Sequence, residues 1–168
     1  NLDRYILVTL HRPSNVDIPE TLTEIIAALT EISNQIPVFF PVHPRTRSRI
    51  NTLDVKLNDS RLILTDPMGY LDFLSLQMHA TFLLTDSGGV QEETTYLGIP
   101  CLTVRPNTER PVTVTHGTNR LVASQRNALM EAVGKVMSSA GRRKMAPELW
   151  DGMTGNRIVK AILSDKHI

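Results

Sequence analysis

The stretch from Thr81 to Arg110, T-F-L-L-T-D-S-G-G-V-Q-E-E-T-T-Y-L-G-I-P-C-L-T-V-R-P-N-T-E-R, constrains the fold more than any other. Phe82-Leu83-Leu84 is an apolar run of strand length, and Thr85-Asp86-Ser87-Gly88-Gly89 is a turn of hydrogen-bonding and permissive residues. The pattern predicts a helix that opens at about Val90 and closes at Gly98, then a second buried strand after Pro100. The helix start leaves the N–H groups of Gly88, Gly89 and Val90 without intrahelical partners, and the helix dipole favours an anion there. Two adjacent glycines present no Cβ to hold a phosphate away from the backbone. The stretch reads as the seat of a diphosphate.

The rest of the chain repeats the alternation. Tyr5 to Leu10 is a mostly apolar run with β-branched members, as in a strand buried on both faces. His11-Arg12-Pro13-Ser14-Asn15 breaks it. Leu22, Ile25, Ile26, Leu29 and Ile32 fall at helical spacing and predict a helix from Pro19 to about Asn34. Pro37 to Val42 holds a second strand, with a proline inside it. A helix to about Leu57 follows, then a third strand at Leu62-Ile63-Leu64, ended by Asp66-Pro67. Tyr70 to His79 reads as a helix with Leu71, Leu74 and Met78 on one face and Phe73 and Leu76 on the other, which predicts cover on two sides. Beyond the central unit come a loop from Pro106 to Gly117, a strand at Leu121-Val122 and a helix from Arg126 to Ser139. That helix has Leu129, Met130, Val133, Val136 and Met137 on one face, and Thr154 to Leu163 reads as a last helix. Strands alternating with helices predict a doubly wound, Rossmann-like parallel α/β sheet.

The 168 residues fit one domain with a real core. A formal net charge of +1 provides no strong field for nucleic acid or membrane, and no basic stripe with interleaved aromatics is present. No apolar stretch is long enough to span a bilayer. The one cysteine, Cys101, sits in an apolar run and suits a reducing cytoplasm. The chain starts at Asn1 without Met and enters a strand pattern by Tyr5, which predicts a piece of a longer polypeptide, with simple processing as the alternative.

In an open α/β sheet, ligands bind at the carboxyl ends of the strands. The residues following the strands are His11 and Arg12; His43 and Arg45; Asp66, Pro67 and Met68; Asp86 to Gly89; and Arg105, Glu109 and Arg110. Two histidines and several arginines on one rim suggest a polyanion. His11 can bond a phosphate or move a proton near neutral pH, or it can cap nearby backbone. Ser87 can bond a phosphate oxygen, cap its own helix, or do both. Glu93 lies four residues beyond Gly89 on one helical face, placed to accept from ribose hydroxyls, and its plainer reading is a solvated charge. Arg110 can bond the diphosphate or pair with Glu109 or another carboxylate. Phe73 can stack on a base or belong to the core. His43 with Arg45 and Arg47 is a small basic cluster or a solvated helix start.

The five histidines, at 11, 43, 79, 116 and 167, form no close pair, so no metal signature is present and no cofactor is expected. No G-x-G-x-x-G, Walker or G-x-S-x-G sequence occurs.

Taken together, T-L-H-R-P-S-N (Thr9–Asn15), P-V-H-P-R-T-R (Pro41–Arg47), D-P-M-G-Y-L-D-F (Asp66–Phe73), T-D-S-G-G-V-Q-E-E (Thr85–Glu93), T-E-R-P-V (Thr108–Val112) and G-T-N-R-L-V (Gly117–Val122) resemble, in the same order, segments of the non-hydrolysing UDP-N-acetylglucosamine 2-epimerases. The resemblance covers nearly the whole chain but only the C-terminal half of that family's glycosyltransferase-B fold, the half that holds UDP. It implies a single UDP-binding domain over 1–168, with an N-terminal domain as missing partner. It also implies a cytoplasmic, homodimeric enzyme when full length, serving cell-envelope polysaccharide biosynthesis. It assigns Ser87, Gly88 and Gly89 to the diphosphate, Glu93 to the ribose, Arg110 to the phosphate region and Phe73 to the uracil. His11 resembles the family's active-site histidine. Arg12 and His43 match positions that touch a second, regulatory UDP-N-acetylglucosamine in some bacterial members. Met68 departs from the residue that some members carry near the uracil.

The reaction implied is inversion at C2 of the sugar, by elimination of UDP and re-addition, with the acid and base carboxylates on the missing domain. The isolated fragment is then expected to bind UDP without turnover. The rival readings are the donor-binding half of a glycosyltransferase, a non-catalytic nucleotide-sugar sensor, and a hydrolysing epimerase.

Overall fold

Six strands pair in parallel throughout, in the order β3-β2-β1-β4-β5-β6. They are β1 (Ile6–Thr9), β2 (Val38–Pro41), β3 (Leu62–Thr65), β4 (Phe82–Thr85), β5 (Cys101–Val104) and β6 (Asn119–Val122). This computed structural model describes residues 4–53, 55, 61–139 and 146–164. The helices are α1 (Pro13–Val16), α2 (Pro19–Ser33), α3 (Pro44–Ile50), α4 (Tyr70–His79), α5 (Gly88–Leu97), α6 (Pro111–Thr115), α7 (Arg126–Ser138) and α8 (Thr154–Ser164). The strand order reverses between β1 and β4, which makes that junction the switch point where an open α/β sheet leaves a crevice.

Alternation along each strand divides the core in two. Ile6, Val8, Val38, Phe40, Phe82, Leu84, Leu102 and Val104 face the α2 and α7 side, against Ile25, Ile26, Leu29, Leu129 and Val133. Leu7, Leu83 and Phe39 face the other side, with Tyr5, Val90 and Ile99. Under α5 and α6 that second layer turns polar, with Gln91, Thr94, Thr95, Thr103, Thr113 and Asn119 all buried. Cys101 is buried there too, and burial pushes its thiol up to about 11.

Two glycines have backbone reasons. Gly98 ends α5 in the left-handed region at φ 70. A Cβ on Gly117 would collide with the Thr113 carbonyl oxygen and the Thr95 side chain, so the chain closes against α6 only without one.

Three details differ from the sequence expectation. Helix α5 opens at Gly88, with Ser87 as N-cap, two residues before the predicted start at Val90. Helix α3 ends at Ile50, short of the expected limit near Leu57: residues 51–53 and 55 are not helical, and 54, 56 and 57 lie outside the described residues. Helix α4 has its expected limits, and of the two faces expected to be covered the one with Phe73 and Leu76 is the inner face. Phe73, Leu76, Gln77 and Ala80 lie at i, i+3, i+4 and i+7 and turn inward, while Leu71 and Met78 are 76% and 46% exposed. Gln77 is buried in that stripe, and its polarity hid the stripe from an apolar count.

Candidate anion site at the strand switch point

β1 and β4 run side by side with Thr9 opposite Thr85, so the two chains leave the sheet together and bring His11 to Asp86. Asp86 is fully buried and organises the junction. Its carboxylate accepts from the His11 amide (3.1 Å), the Arg12 amide (2.9 Å) and Asn15 Nδ2 (3.0 Å). His11 Nδ1 lies 3.0 Å from Asp86 Oδ1. Asn15 also donates to the Val104 carbonyl at 3.0 Å, which ties the β1 loop to β5. Burial alone would raise the Asp86 carboxyl; the bonds from His11, Asn15 and the Arg12 amide outweigh it and hold the group below its ordinary range. The same bond raises the His11 imidazole above 6.5, against burial and the nearby Arg12 charge.

The mouth of α5 opens beside this pair. The Ser87 side chain makes no cap hydrogen bond, and its amide donates to Thr85 Oγ1 at 3.0 Å. The Ser87 hydroxyl is therefore not spent on its own helix. Beyond its chain neighbours and its own helix backbone, a Cβ built on Gly88 or Gly89 meets nothing within 4 Å. Nothing therefore crowds the two glycines on their Cβ side, which leaves room for an anion to approach the helix start.

Arg110 arrives from the β5–α6 connection and reaches α5, with Nε 2.9 Å from Glu92 Oε1. Of the carboxylates weighed from sequence, it pairs with Glu92 and not with Glu109. Glu109 instead bridges Arg105 (2.5 Å) and Arg12 (3.1 Å), and the Arg105 bond foremost holds its carboxyl at about 2. Glu93 lies next to Tyr70 of α4, and its negative charge raises the Tyr70 phenol above its ordinary value. Phe73 is half-buried and packs against the second core layer. His43 is exposed and caps α3, its Nδ1 accepting from the Arg45 amide at 3.3 Å. No hydrogen bond or ion pair joins His43 to Arg12 among the described residues.

Sequence reasoning missed two groups that hold the site in shape. Asp86 was visible only as a polar residue after a strand. Gln91 is the second. Its Nε2 donates to the Ser87 carbonyl (3.1 Å), and its Oε1 accepts from Thr108 (2.6 Å) and Asn119 (3.1 Å). Thr108 Oγ1 in turn accepts from the Arg110 amide at 2.9 Å. The signal available was the spacing, since Ser87 and Gln91 are i and i+4 on a helix whose Thr94 and Thr95 are also polar and buried.

A separate cavity of about 430 Å³ lies beyond β5 and β6, lined by Ser14, Asn15, Arg105, Pro106 and the 121–125 segment. It borders the junction through Asn15 and Arg105 and does not include the α5 mouth. Among the described residues no group of three or more metal-ligating side chains comes together, and no helix is long and apolar enough to cross a membrane.

A family model described as UDP-N-acetylglucosamine 2-epimerase matches residues 1–163. The chain is similar to the UDP-N-acetylglucosamine 2-epimerase of Methanocaldococcus jannaschii, with 39% identity over 98% of this chain and 46% of that protein. The crystal structure of the M. jannaschii UDP-GlcNAc 2-epimerase in complex with UDP-GlcNAc and UDP superposes with a TM-score of 0.81 at 38% identity, covering 96% of this chain and 46% of that one. A Pseudomonas aeruginosa UDP-2,3-diacetamido-2,3-dideoxy-D-glucuronate 2-epimerase is 43% identical over 83% of this chain and 40% of its own length. The chain thus spans about half the length of the curated relatives it matches. By the match of the family model to nearly its whole length, this chain belongs to the UDP-N-acetylglucosamine 2-epimerase family.

Proposed function

We propose that this chain is the C-terminal, UDP-binding half of a 2-epimerase that interconverts UDP-N-acetylglucosamine and UDP-N-acetylmannosamine. The observation that carries the reading is the uncrowded glycine pair at the start of α5, with the uncommitted Ser87 hydroxyl, beside the His11–Asp86 pair. The relative solved with UDP-GlcNAc and UDP supports a nucleotide-sugar ligand.

In this reading the α5 mouth and Ser87 hold the diphosphate, Arg110 neutralises it, Glu93 takes the ribose hydroxyls, and Phe73 lies by the uracil. The C2 proton of the sugar is not adjacent to a carbonyl, so it is barely acidic. Departure of the diphosphate must carry much of the barrier, and donors aimed at the charge growing on it stabilise the transition state. His11 is the protonatable member of that set. The carboxylates that move the C2 proton belong to the N-terminal half, and the full-length enzyme works as a homodimer. Arg12 and His43 belong to a second, regulatory nucleotide-sugar site, for which the exposure of the His43 ring is the support.

The test is product analysis by NMR. Full-length enzyme converts UDP-N-acetylglucosamine to UDP-N-acetylmannosamine, while the 168 residues alone do not. Turnover by the isolated chain contradicts the reading, and release of free N-acetylmannosamine by the full-length enzyme assigns it to a hydrolysing branch. A second reading keeps the nucleotide and changes the sugar, because a 43% identical relative is named for a diacetamido-glucuronate. Turnover of that sugar nucleotide in preference to UDP-N-acetylglucosamine supports it.

A further inference from the structure

Asp86 does more than close a loop. A buried ionised carboxylate is costly unless its lone pairs are filled, and two backbone amides, one side-chain amide and one imidazole fill these. The two amides and Asn15 fix the carboxylate in place without His11. The imidazole is then oriented by a carboxylate that three other donors hold. Because an ionised carboxylate only accepts, His11 Nδ1 must be the donating nitrogen, which leaves Nε2 to meet a ligand. The His11 side chain is 57% exposed while that of Asp86 is 0% exposed, so the ring spans the boundary between core and crevice.

We propose that Asp86 is a positioning residue for the leaving diphosphate: it fixes the His11 tautomer and favours the imidazolium, so that Nε2–H presents a charged donor beside the α5 mouth. This inference rests on the diphosphate reading of that mouth. Other charges around the ring are Arg12 on its own loop and, through Arg12, Glu109 with Arg105 on the β5–α6 connection. Arg12 opposes protonation of His11, and its pairing with Glu109 blunts that opposition. The balance is an imidazole pKa raised above its ordinary value, with the Asp86 bond as the foremost cause.

The experiment follows the His11 ring by NMR titration in this chain, first without ligand, in wild type and Asp86→Asn. The wild-type ring titrates above 6.5 and the variant ring falls to that value or below it. UDP affinity is then measured between about pH 6 and pH 8 in wild type, Asp86→Asn and His11→Gln. The phosphate's own ionisation acts on all three proteins alike. Relative to His11→Gln, wild type loses roughly tenfold in affinity as its imidazolium deprotonates, and Asp86→Asn loses little. A wild-type ring that titrates at or below 6.5, or a pH profile matching that of His11→Gln, overturns the proposal even where Asp86→Asn does not fold. UDP binding with an unchanged His11 titration in Asp86→Asn overturns the proposal alone. Absence of UDP binding by wild type at any pH overturns the diphosphate reading and the proposal with it.

Discussion

Gln91 Oε1 accepts a 2.6 Å hydrogen bond from Thr108 Oγ1 and so ties the helix of the glycine mouth to the loop that carries Arg110. The same side chain holds the Ser87 carbonyl and Asn119, and Asn119 continues to Thr103 and Thr113. The loop that carries the arginine is therefore tied to α5 through Gln91–Thr108 as well as through the Arg110–Glu92 pair.

Gln91→Ala leaves Thr108 Oγ1 without its acceptor and removes one of the two acceptors of Asn119 Nδ2, which keeps Thr113 Oγ1. An orphaned buried group costs about 1–3 kcal/mol, and Thr108 is only part-buried, so a loss of about 1 kcal/mol in urea denaturation is expected. UDP affinity falls as well, because the Arg110 loop loses one of its ties to α5. Unchanged affinity in a destabilised but folded variant would show that the loop holds its place without Gln91.

The glycines of the mouth and of the turn predict opposite outcomes. Gly89→Ala places its methyl in open space at a helix start, so stability is kept or rises by up to about 1 kcal/mol. UDP binding nevertheless falls, because the methyl enters the space that the phosphate needs. Gly117→Ala instead drives a methyl into Thr113 and Thr95 and destabilises the fold by about 1–3 kcal/mol. Denaturation midpoints and UDP titrations on both variants check the pair.

Acid stability reports on Asp86. Its folded pKa lies below 3.8, so the stability it contributes is complete above that value and is lost as pH falls through the folded pKa. Asp86→Ala removes the acceptor of four donors, of which the Asn15 amide is buried, with an expected loss of about 1–3 kcal/mol near neutral pH. Denaturation of wild type and variant from about pH 5 downward should show the gap narrowing. A gap that is constant across that range would exclude ionisation of Asp86 as its source.

Much of this was legible before any coordinates. The doubled glycine after an apolar run placed the α5 mouth, and the β-strand and helix alternation gave the parallel sheet. Helix α4 was bounded correctly at Tyr70 and His79 because Gly69 and Ala80 flank a clear period. Of its two apolar faces only the one with Phe73 and Leu76 is the inner one, and hydrophobic periodicity does not separate them because the core position of Gln77 is a buried amide that it cannot count. The role of Asp86 was illegible for a different reason. Its partners His11, Arg12 and Asn15 lie more than 70 residues away and meet it only through the β1–β4 register. The short helix α1, started by Pro13, was read as a break because four residues carry too little pattern to register.

The central claim is that the α5 mouth recognises a diphosphate, and calorimetric titration of this chain with UDP and UMP tests it most directly. The account predicts that UDP binds clearly more tightly than UMP, and that Arg110→Ala narrows the difference by weakening UDP and leaving UMP nearly unchanged. Equal affinities for the two nucleotides, or a difference that survives Arg110→Ala in full together with Gly89→Ala, would contradict it.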